Sequence, residues 1–332
     1  MDLRPLGRTG LSVSALGFGC GNVGGLMIRG AAAERERAIT RAMELGVNYF
    51  DTAALYGDGQ SETNLGLALK NLGVRGRVYV GTKFRLAPED LTSVPAAIDR
   101  ALDGSLRRLG MDSVDLFQFH NPLGPARDGS KASVRDVLDA IVPALQRLQQ
   151  AGKIRFYGIT ALGDTDALHQ VIGSGAVHTM QTVLNLLNPS GAHAVPAGFP
   201  AQDFRGLLRT ARTHGTGAIV IRVAAAGALS GTMERHPVAV PTVDPIASGA
   251  DYATDVKRSA AFAALVKDGY AGSLVEASMR FAIGAEGVST VLLGYSSLEH
   301  LEAAAAAADR GPLPHAALDR LDAIWKDLAH RH

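Results

Sequence analysis

One cysteine, Cys20, stands in 332 residues. That excludes an intramolecular disulfide and a thiolate metal cluster, and it fits a reducing compartment. Neither sign of charge is in surplus: 33 lysines and arginines face 32 aspartates and glutamates, a net charge of +1. Such a balance gives no electrostatic footprint for nucleic acid or an acidic membrane surface. The chain has no apolar run of about 18 residues, the length a bilayer span needs. Its start, Met1-Asp2-Leu3-Arg4-Pro5, lacks the apolar core of a signal peptide. These absences predict a cytoplasmic protein with neither a nucleic-acid nor a membrane partner. HExxH does not occur, and the one HxH, His330-Arg331-His332, ends the chain far from any expected strand end, so no metal site is expected. Also missing is a GxGxxG after a strand, the Rossmann dinucleotide mark.

Hydrophobic residues make up 47% of the chain, ample for a globular core at this length. Short β-branched or aromatic runs recur at 12–19, 47–53, 78–84, 114–120, 155–160, 179–185, 218–224 and 289–295. Between them, segments such as 33–45 and 135–151 space apolar residues three and four apart, the helical period. Eight strand–helix units with no linker predict one closed parallel α/β barrel, a (β/α)8 TIM barrel forming a single domain over residues 1–332. Residues 2–11 carry a Gly-Arg-Thr-Gly turn and read as an N-terminal β-hairpin able to plug the barrel bottom. About sixty residues separate the seventh and eighth strands; a loop of that length is usually functional. The alanine tract 303–308 continues a helix that starts at a capping box, Ser296 with Glu299, and stops at Gly311-Pro312.

In such a barrel the active site lies at the C-terminal ends of the strands. Asp51 closes the second run, Lys83 the third and His120 the fourth, and Tyr56 follows Asp51 in a Gly-rich loop. A phenol titrates near 10, and an ammonium beside it stabilises phenolate. Lys83 supplies that charge, Asp51 holds the lysine ionised, and His120 positions an oxygen next to Tyr56. Such a proton relay offers no nucleophile and suits hydride transfer with a nicotinamide cofactor. Singly, each of these residues reads as an ion pair or a capped turn; the four together favour a site.

At these residues the chain resembles the aldo-keto reductase superfamily over essentially its whole length. The matching stretches are Leu6-Gly7-Arg8-Thr9-Gly10-Leu11-Ser12-Val13-Ser14, Asn48-Tyr49-Phe50-Asp51-Thr52-Ala53 with Tyr56-Gly57 and Ser61-Glu62, Gly81-Thr82-Lys83, Asp115-Leu116-Phe117-Gln118-Phe119-His120, and Gly152-Lys153-Ile154-Arg155-Phe156-Tyr157-Gly158-Ile159. The resemblance implies a catalytic tetrad of Asp51, Tyr56, Lys83 and His120, with Tyr56 as general acid/base, and NAD(P) bound without a Rossmann fold. Val142-Pro143-Ala144-Leu145-Gln146, Gly158-Ile159-Thr160 and Val291-Leu292-Leu293-Gly294-Tyr295-Ser296-Ser297 are similar to the branch of L-galactose dehydrogenase and the D-threo-aldose (L-fucose) 1-dehydrogenases, which oxidise an aldose to a lactone. Cofactor contacts implied by the resemblance fall on Thr160, Gln181, Arg222, Gly227, Leu229, Gly294, Ser296, Ser297 and His300; substrate contacts fall on Cys20, Phe84 and Asn121, with Arg85 in the same pocket.

Two departures bear on the cofactor. Thr160-Ala161 replaces the usual Ser-Asn, and Arg222 replaces the aromatic that stacks on the nicotinamide. The guanidinium fits three roles: stacking on the ring, meeting substrate oxygens, or a buried ion pair. From 294 to 308 there is no lysine or arginine for a further phosphate; His300 takes the customary arginine position, with Glu299 and Glu302 nearby. This favours NAD over NADP, although His300 or Arg235 keeps a phosphate partner available. The leading expectation is an NAD-dependent oxidation of an aldose or similar cyclic hemiacetal to a lactone. Its competitors are NADPH-dependent reduction of aldehydes or ketones and a nucleotide-binding regulatory subunit with little turnover. The substrate is a small molecule, and homo-oligomerisation stays open.

Overall fold

The computed structural model describes residues 1–330; Arg331 and His332 of the terminal HxH lie outside the described residues. Strands β1 (Leu3–Pro5) and β2 (Ser12–Ser14) pair antiparallel. The barrel is built from β3 (Leu16–Gly19), β4 (Tyr49–Asp51), β5 (Tyr79–Phe84) and β6 (Val114–Phe119), then β9 (Ile154–Thr160), β10 (Thr179–Val183), β11 (Gly217–Ile221) and β12 (Val288–Gly294). A small parallel pair, β7 (Leu123–Gly124) with β8 (Ala132–Ser133), lies in the loop after β6. The eight barrel strands are all parallel, and the ring closes where β12 meets β3, with Val291 opposite Leu16 and Gly294 opposite Gly19. The expected (β/α)8 barrel is therefore present.

Helices α1 (Ala32–Glu44), α2 (Gln60–Asn71), α3 (Val94–Leu109), α4 (Val142–Gln150), α5 (Thr165–Gly173) and α6 (Leu207–Thr213) follow successive strands. Then come α7 (Tyr252–Ser259), α8 (Leu274–Gly284), α9 (Leu298–Asp309) and α10 (His315–His330). Most bury an apolar stripe, as Ala38, Ile39 and Ala42 of α1 and Ile98, Leu102 and Leu109 of α3 illustrate, whereas α7 buries Asp255, Arg258 and Ser259. The alanine tract belongs to α9 and buries Ala304, Ala305 and Ala307.

The structure corrects three local expectations. The run 12–19 is two strands: Ala15 N–H donates to Asp2 while its carbonyl accepts from Val291. One extended segment thus changes partners from the hairpin to the barrel at Ala15. The segment 135–151 is not one α-helix, because residues Val137–Ile141 form a wide π turn before α4. Pro143 has no N–H for the regular ladder, and such a break commonly sits beside a proline. The α9 cap is Ser297, which accepts from the His300 N–H, not Ser296. Ser296 Oγ donates instead to the Gly24 carbonyl at 2.7 Å, so the helix begins one residue later.

The hairpin does plug the barrel bottom. Leu6, Leu11 and Val13 are buried with Tyr49, Leu116, Ile219 and Leu292, and Arg8 N–H donates to Gly215 at 2.8 Å. Between β11 and β12 the long excursion carries α7, α8 and a turn of unusual backbone: Arg222, Ala225 and Ala226 have φ of 58°, 48° and 58°. Left-handed conformations at non-glycine residues cost on the order of 1–3 kcal/mol each and concentrate at ligand-binding turns.

Candidate active site

Strand alternation decides which side chains meet. Tyr49 and Asp51, Gly81 and Lys83, Gly158 and Thr160, and Thr179 and Gln181 are each two residues apart on neighbouring strands, so each pair shares one face. Contacts place that face inside the barrel: Lys83 Nζ pairs with Asp51 Oδ1 and donates to the Thr52 carbonyl at 2.8 Å. It also reaches Tyr56 Oη at 3.2 Å. Lys83 and Asp51 are almost wholly buried. Burial opposes a charged lysine, but Asp51 and then Tyr56 outweigh it, and the Lys83 pKa is raised.

Tyr56 owes its position to a tight loop. Gly57, Asp58 and Gly59 are all left-handed, with φ of 58°, 51° and 87°, a path that glycine follows without steric cost. Asn22 accepts from the Gly57 N–H at 3.2 Å, and Ser61 bridges Thr52 and the Cys20 carbonyl, both at 2.8 Å. Below, buried Glu62 takes Thr82 Oγ1 and Arg108 Nε at 2.5 and 2.6 Å. The four expected residues Asp51, Tyr56, Lys83 and His120 do converge on one mouth.

His120 Nδ1 lies 2.6 Å from Thr160 Oγ1, which leaves Nε2 as the ring's free nitrogen. Burial first, then the charges of Lys83 and Arg85, lower its pKa from 6.5 to about 3. The ring is therefore neutral at every ordinary working pH. In the unfolded chain it gains a proton below about 6.5 and in the folded one only below about 3, so stability falls as pH drops through that window. Urea unfolding of wild type and His120→Gln between pH 7 and pH 4 checks this: the variant is expected to lose stability less steeply. Equal slopes would refute the neutral, desolvated ring.

Two expected cofactor contacts are engaged inside the site. Gln181 Nε2 donates to Asp51 Oδ2 at 2.6 Å, and Thr160 serves His120. Tyr49, which sequence reasoning missed, donates its hydroxyl to the same Asp51 Oδ2 at 2.9 Å. Its signal was its position two residues before Asp51 on one strand. Asp51 thus receives Lys83 on one oxygen and Tyr49 and Gln181 on the other.

The expected substrate contacts fare differently. Phe84 is buried, its ring 4.5 Å from Phe117, and belongs to the core between barrel and helices. Asn121 spends its amide on Leu86 and Ser130, pinning two loops. Cys20 is buried; burial above all raises its thiol pKa, with Asp51 adding and Lys83 only partly offsetting. A protonated, enclosed thiol is inert. Packing takes Phe84 and Asn121 out of the pocket expected for them, and the Cys20 thiol is packed within its turn.

The remaining residues line a second region. Gly227 and Leu229 lie in the turn Ala225–Ser230, with Gly227 at φ 106°. Tyr252 Oη, buried and without a hydrogen-bond partner among the described residues, stands 3.2 Å from where a Gly227 Cβ would be. Arg222 is half-buried and donates Nη1 to the Asp244 carbonyl at 3.0 Å. It forms no ion pair among the described residues, so the buried-pair role falls away. Gly294 packs against Gly24, Ser297 caps α9, and His300 faces His236 with ring centres 5.8 Å apart. Glu302 is occupied by Arg41 at 3.0 Å. A helix N-terminus, a left-handed turn, two histidines and an orphaned phenol form a donor set that fits a nicotinamide dinucleotide.

A closed parallel barrel with an Asp, a Lys, a Tyr and a His meeting at the C-terminal ends of its strands is the framework of a nicotinamide-dependent oxidoreductase. The chain belongs to the aldo/keto reductase family, whose match spans residues 15–326; it is an NAD(P)-dependent oxidoreductase of that family. It is 30% identical over 306 residues to L-galactose dehydrogenase from Arabidopsis thaliana, covering 91% of this chain and 86% of that one. It is 32% identical over 155 residues to the aldo-keto reductase yakc [NADP(+)] of Schizosaccharomyces pombe, 45% of this chain and 43% of that one. Among solved structures it is similar to the aldo-keto reductase AKR11C1 from Bacillus halodurans in its holo form, with a TM-score of 0.72 and 25% identity. That likeness covers 98% of this chain and 96% of the other.

Proposed function

We propose that the protein oxidises an aldose or similar cyclic hemiacetal to its lactone with NAD, using Asp51, Tyr56, Lys83 and His120 as one catalytic unit in one domain over residues 1–332. The observation that carries this reading is Lys83 Nζ in contact with both Asp51 and Tyr56 beside a neutral His120. A bound nicotinamide would supply the two-electron chemistry as acceptor of the hydride leaving the carbon being oxidised. Tyr56 Oη takes the proton of the reacting hydroxyl as its C–H electron pair departs and the C=O forms. Lys83, kept charged by Asp51, stabilises the phenolate that accepts it. His120, with Nδ1 held by Thr160, directs Nε2 at the substrate oxygen. The relative named L-galactose dehydrogenase supports an aldose as substrate.

NAD is favoured at the α9 end because Glu299 is exposed there, no lysine or arginine occurs from 294 to 308, and Ser297 already caps the helix. Gln181, Arg222, Gly227, Leu229, Gly294, Ser296 and His300 complete the cofactor contacts in this reading. An NADPH-dependent carbonyl reductase would run the same four residues in reverse; the NADP(+) in the yakc name supports that second reading. The test is a coupled absorbance assay with NAD and NADP in separate wells against aldoses, pyridoxal-like hemiacetals and simple alcohols. Turnover of an aldose with NAD is expected, and His300→Arg should shift preference toward NADP roughly tenfold, about 1.4 kcal/mol, the size of one gained charge pair. Consumption of NADPH with aldehydes and silence with every oxidisable compound would overturn it.

A further inference from the structure

The charges around the barrel mouth do not suit a neutral sugar. Lys83 and Asp51 cancel each other inside the floor, and His120 is uncharged. Two guanidiniums stand on opposite walls, and one acid, Asp58, is exposed in the loop that carries Tyr56. Arg85 immediately follows β5, Arg222 immediately follows β11, and in the strand order those two strands stand four places apart in a ring of eight. Neither arginine forms an ion pair among the described residues.

Their hydrogen bonding shows which one is free to bind. Arg222 gives Nη1 to the Asp244 carbonyl, while Asn185 holds its backbone by donating to the Arg222 carbonyl at 2.8 Å. Arg85 gives only Nε, to the His120 carbonyl at 3.2 Å. That bond anchors the guanidinium beside the catalytic histidine and leaves the Nη1/Nη2 edge unused in an exposed position. An unused guanidinium edge is the fork that takes a carboxylate or phosphate through two parallel bonds. Arg235, by contrast, is spent: its Nε, Nη1 and Nη2 go to the carbonyls of Val240, Ala226 and Val23. The carboxylates of Asp244 and Asp255 lie near enough to favour the Arg222 charge, yet neither forms an ion pair with it among the described residues. Asp244 offers it a carbonyl, and Asp255 is bound to Ser248 beside Arg258.

We propose that the substrate carries an anionic group, a carboxylate or phosphate, and that Arg85 is the residue that selects it, with Arg222 adding positive potential from the opposite wall. This rests on the oxidoreductase reading above and narrows its substrate class. In that class the group oxidised sits over Tyr56 and His120 while the anion reaches the wall after β5.

The experiment compares galactose, galacturonate and galactose 6-phosphate as substrates, with NAD and with NADP, in wild type, Arg85→Gln and Arg85→Lys. In wild type an anionic sugar should exceed galactose at least tenfold in kcat/KM. Arg85→Gln should cut that ratio at least fivefold, mainly through KM, and Arg85→Lys should restore part of it because charge returns without the fork. Preference for galacturonate alone or for the phosphate alone identifies the anion. Galactose used as well as either anion by wild type, or a ratio unchanged in Arg85→Gln, overturns the inference while leaving the aldose reading standing. If none of the three is turned over, galactose-type aldoses are excluded as substrates, and calorimetric titration of galacturonate and galactose 6-phosphate into the protein with NAD decides the inference. Binding weakened by Arg85→Gln supports it, and no binding overturns it. Arg85 is exposed, and unchanged thermal midpoints of the variants exclude a folding defect.

Discussion

Tyr56→Phe is expected to lower kcat by roughly three orders of magnitude, about 4 kcal/mol of barrier, while leaving cofactor affinity and stability nearly as they were. The Tyr56 hydroxyl is the side-chain oxygen of this loop that Lys83 Nζ contacts, at 3.2 Å; His120, its pKa lowered to about 3, is a weak base with Nδ1 occupied, and the Cys20 thiol is enclosed. Folding should hardly notice the loss. Lys83 keeps Asp51 and the Thr52 carbonyl as acceptors, so one net hydrogen bond of about 1 kcal/mol is at stake. Steady-state rates, cofactor titration and urea midpoints on the same preparation check this. An unchanged kcat would remove Tyr56 from the mechanism and with it the tetrad.

Lys83→Met should do the opposite kind of damage, losing both stability and activity. Lys83 and Asp51 are both buried at the base of the mouth. Removing one member of such a pair leaves an uncompensated charge and typically costs about 3–5 kcal/mol. Asp51 would keep the Tyr49 and Gln181 donors, which places the expected loss toward the lower end. The double variant Lys83→Met with Asp51→Asn removes the stranded charge and should recover most of the stability. Activity should not return, because nothing then stabilises phenolate at Tyr56. Chemical denaturation and kcat measured side by side separate the two effects. Recovery of activity in the double variant would show that the lysine's charge has no part in the chemistry.

Local pattern carried much of this protein. Eight apolar runs separated by amphipathic segments can be covered on both faces only by a closed or layered parallel sheet, and polar residues ending those runs are conspicuous because burying them costs free energy unless they are paired. Asp51, Lys83 and His120 were legible for that reason, and Tyr56 through the glycine-rich loop that follows Asp51. Ala15 shows where local reading stops: nothing in a continuous extended run says at which residue it exchanges a hairpin partner for a barrel partner. Phe84 and Asn121 show the same limit. Adjacency to Lys83 and His120 suggested the pocket, yet alternation turned Phe84 outward onto Phe117, and the loop after β6 folded Asn121 onto Leu86.

What the sequence by itself determined is therefore the barrel, its plugging hairpin and the chemistry of the strand ends, because period, length and the cost of buried polar groups act over a few residues at a time. Only the tertiary structure decided how the charges are shared: that Asp51 is held by Tyr49 and Gln181 as well as Lys83, that Thr160 is committed to His120, and that Arg85 and Arg222 stand at the mouth with no ion pair among the described residues. Those pairings join strands up to 130 residues apart in the chain. Ring closure sets which strand ends lie side by side and which stand opposite, and spacing along the sequence carries no record of it.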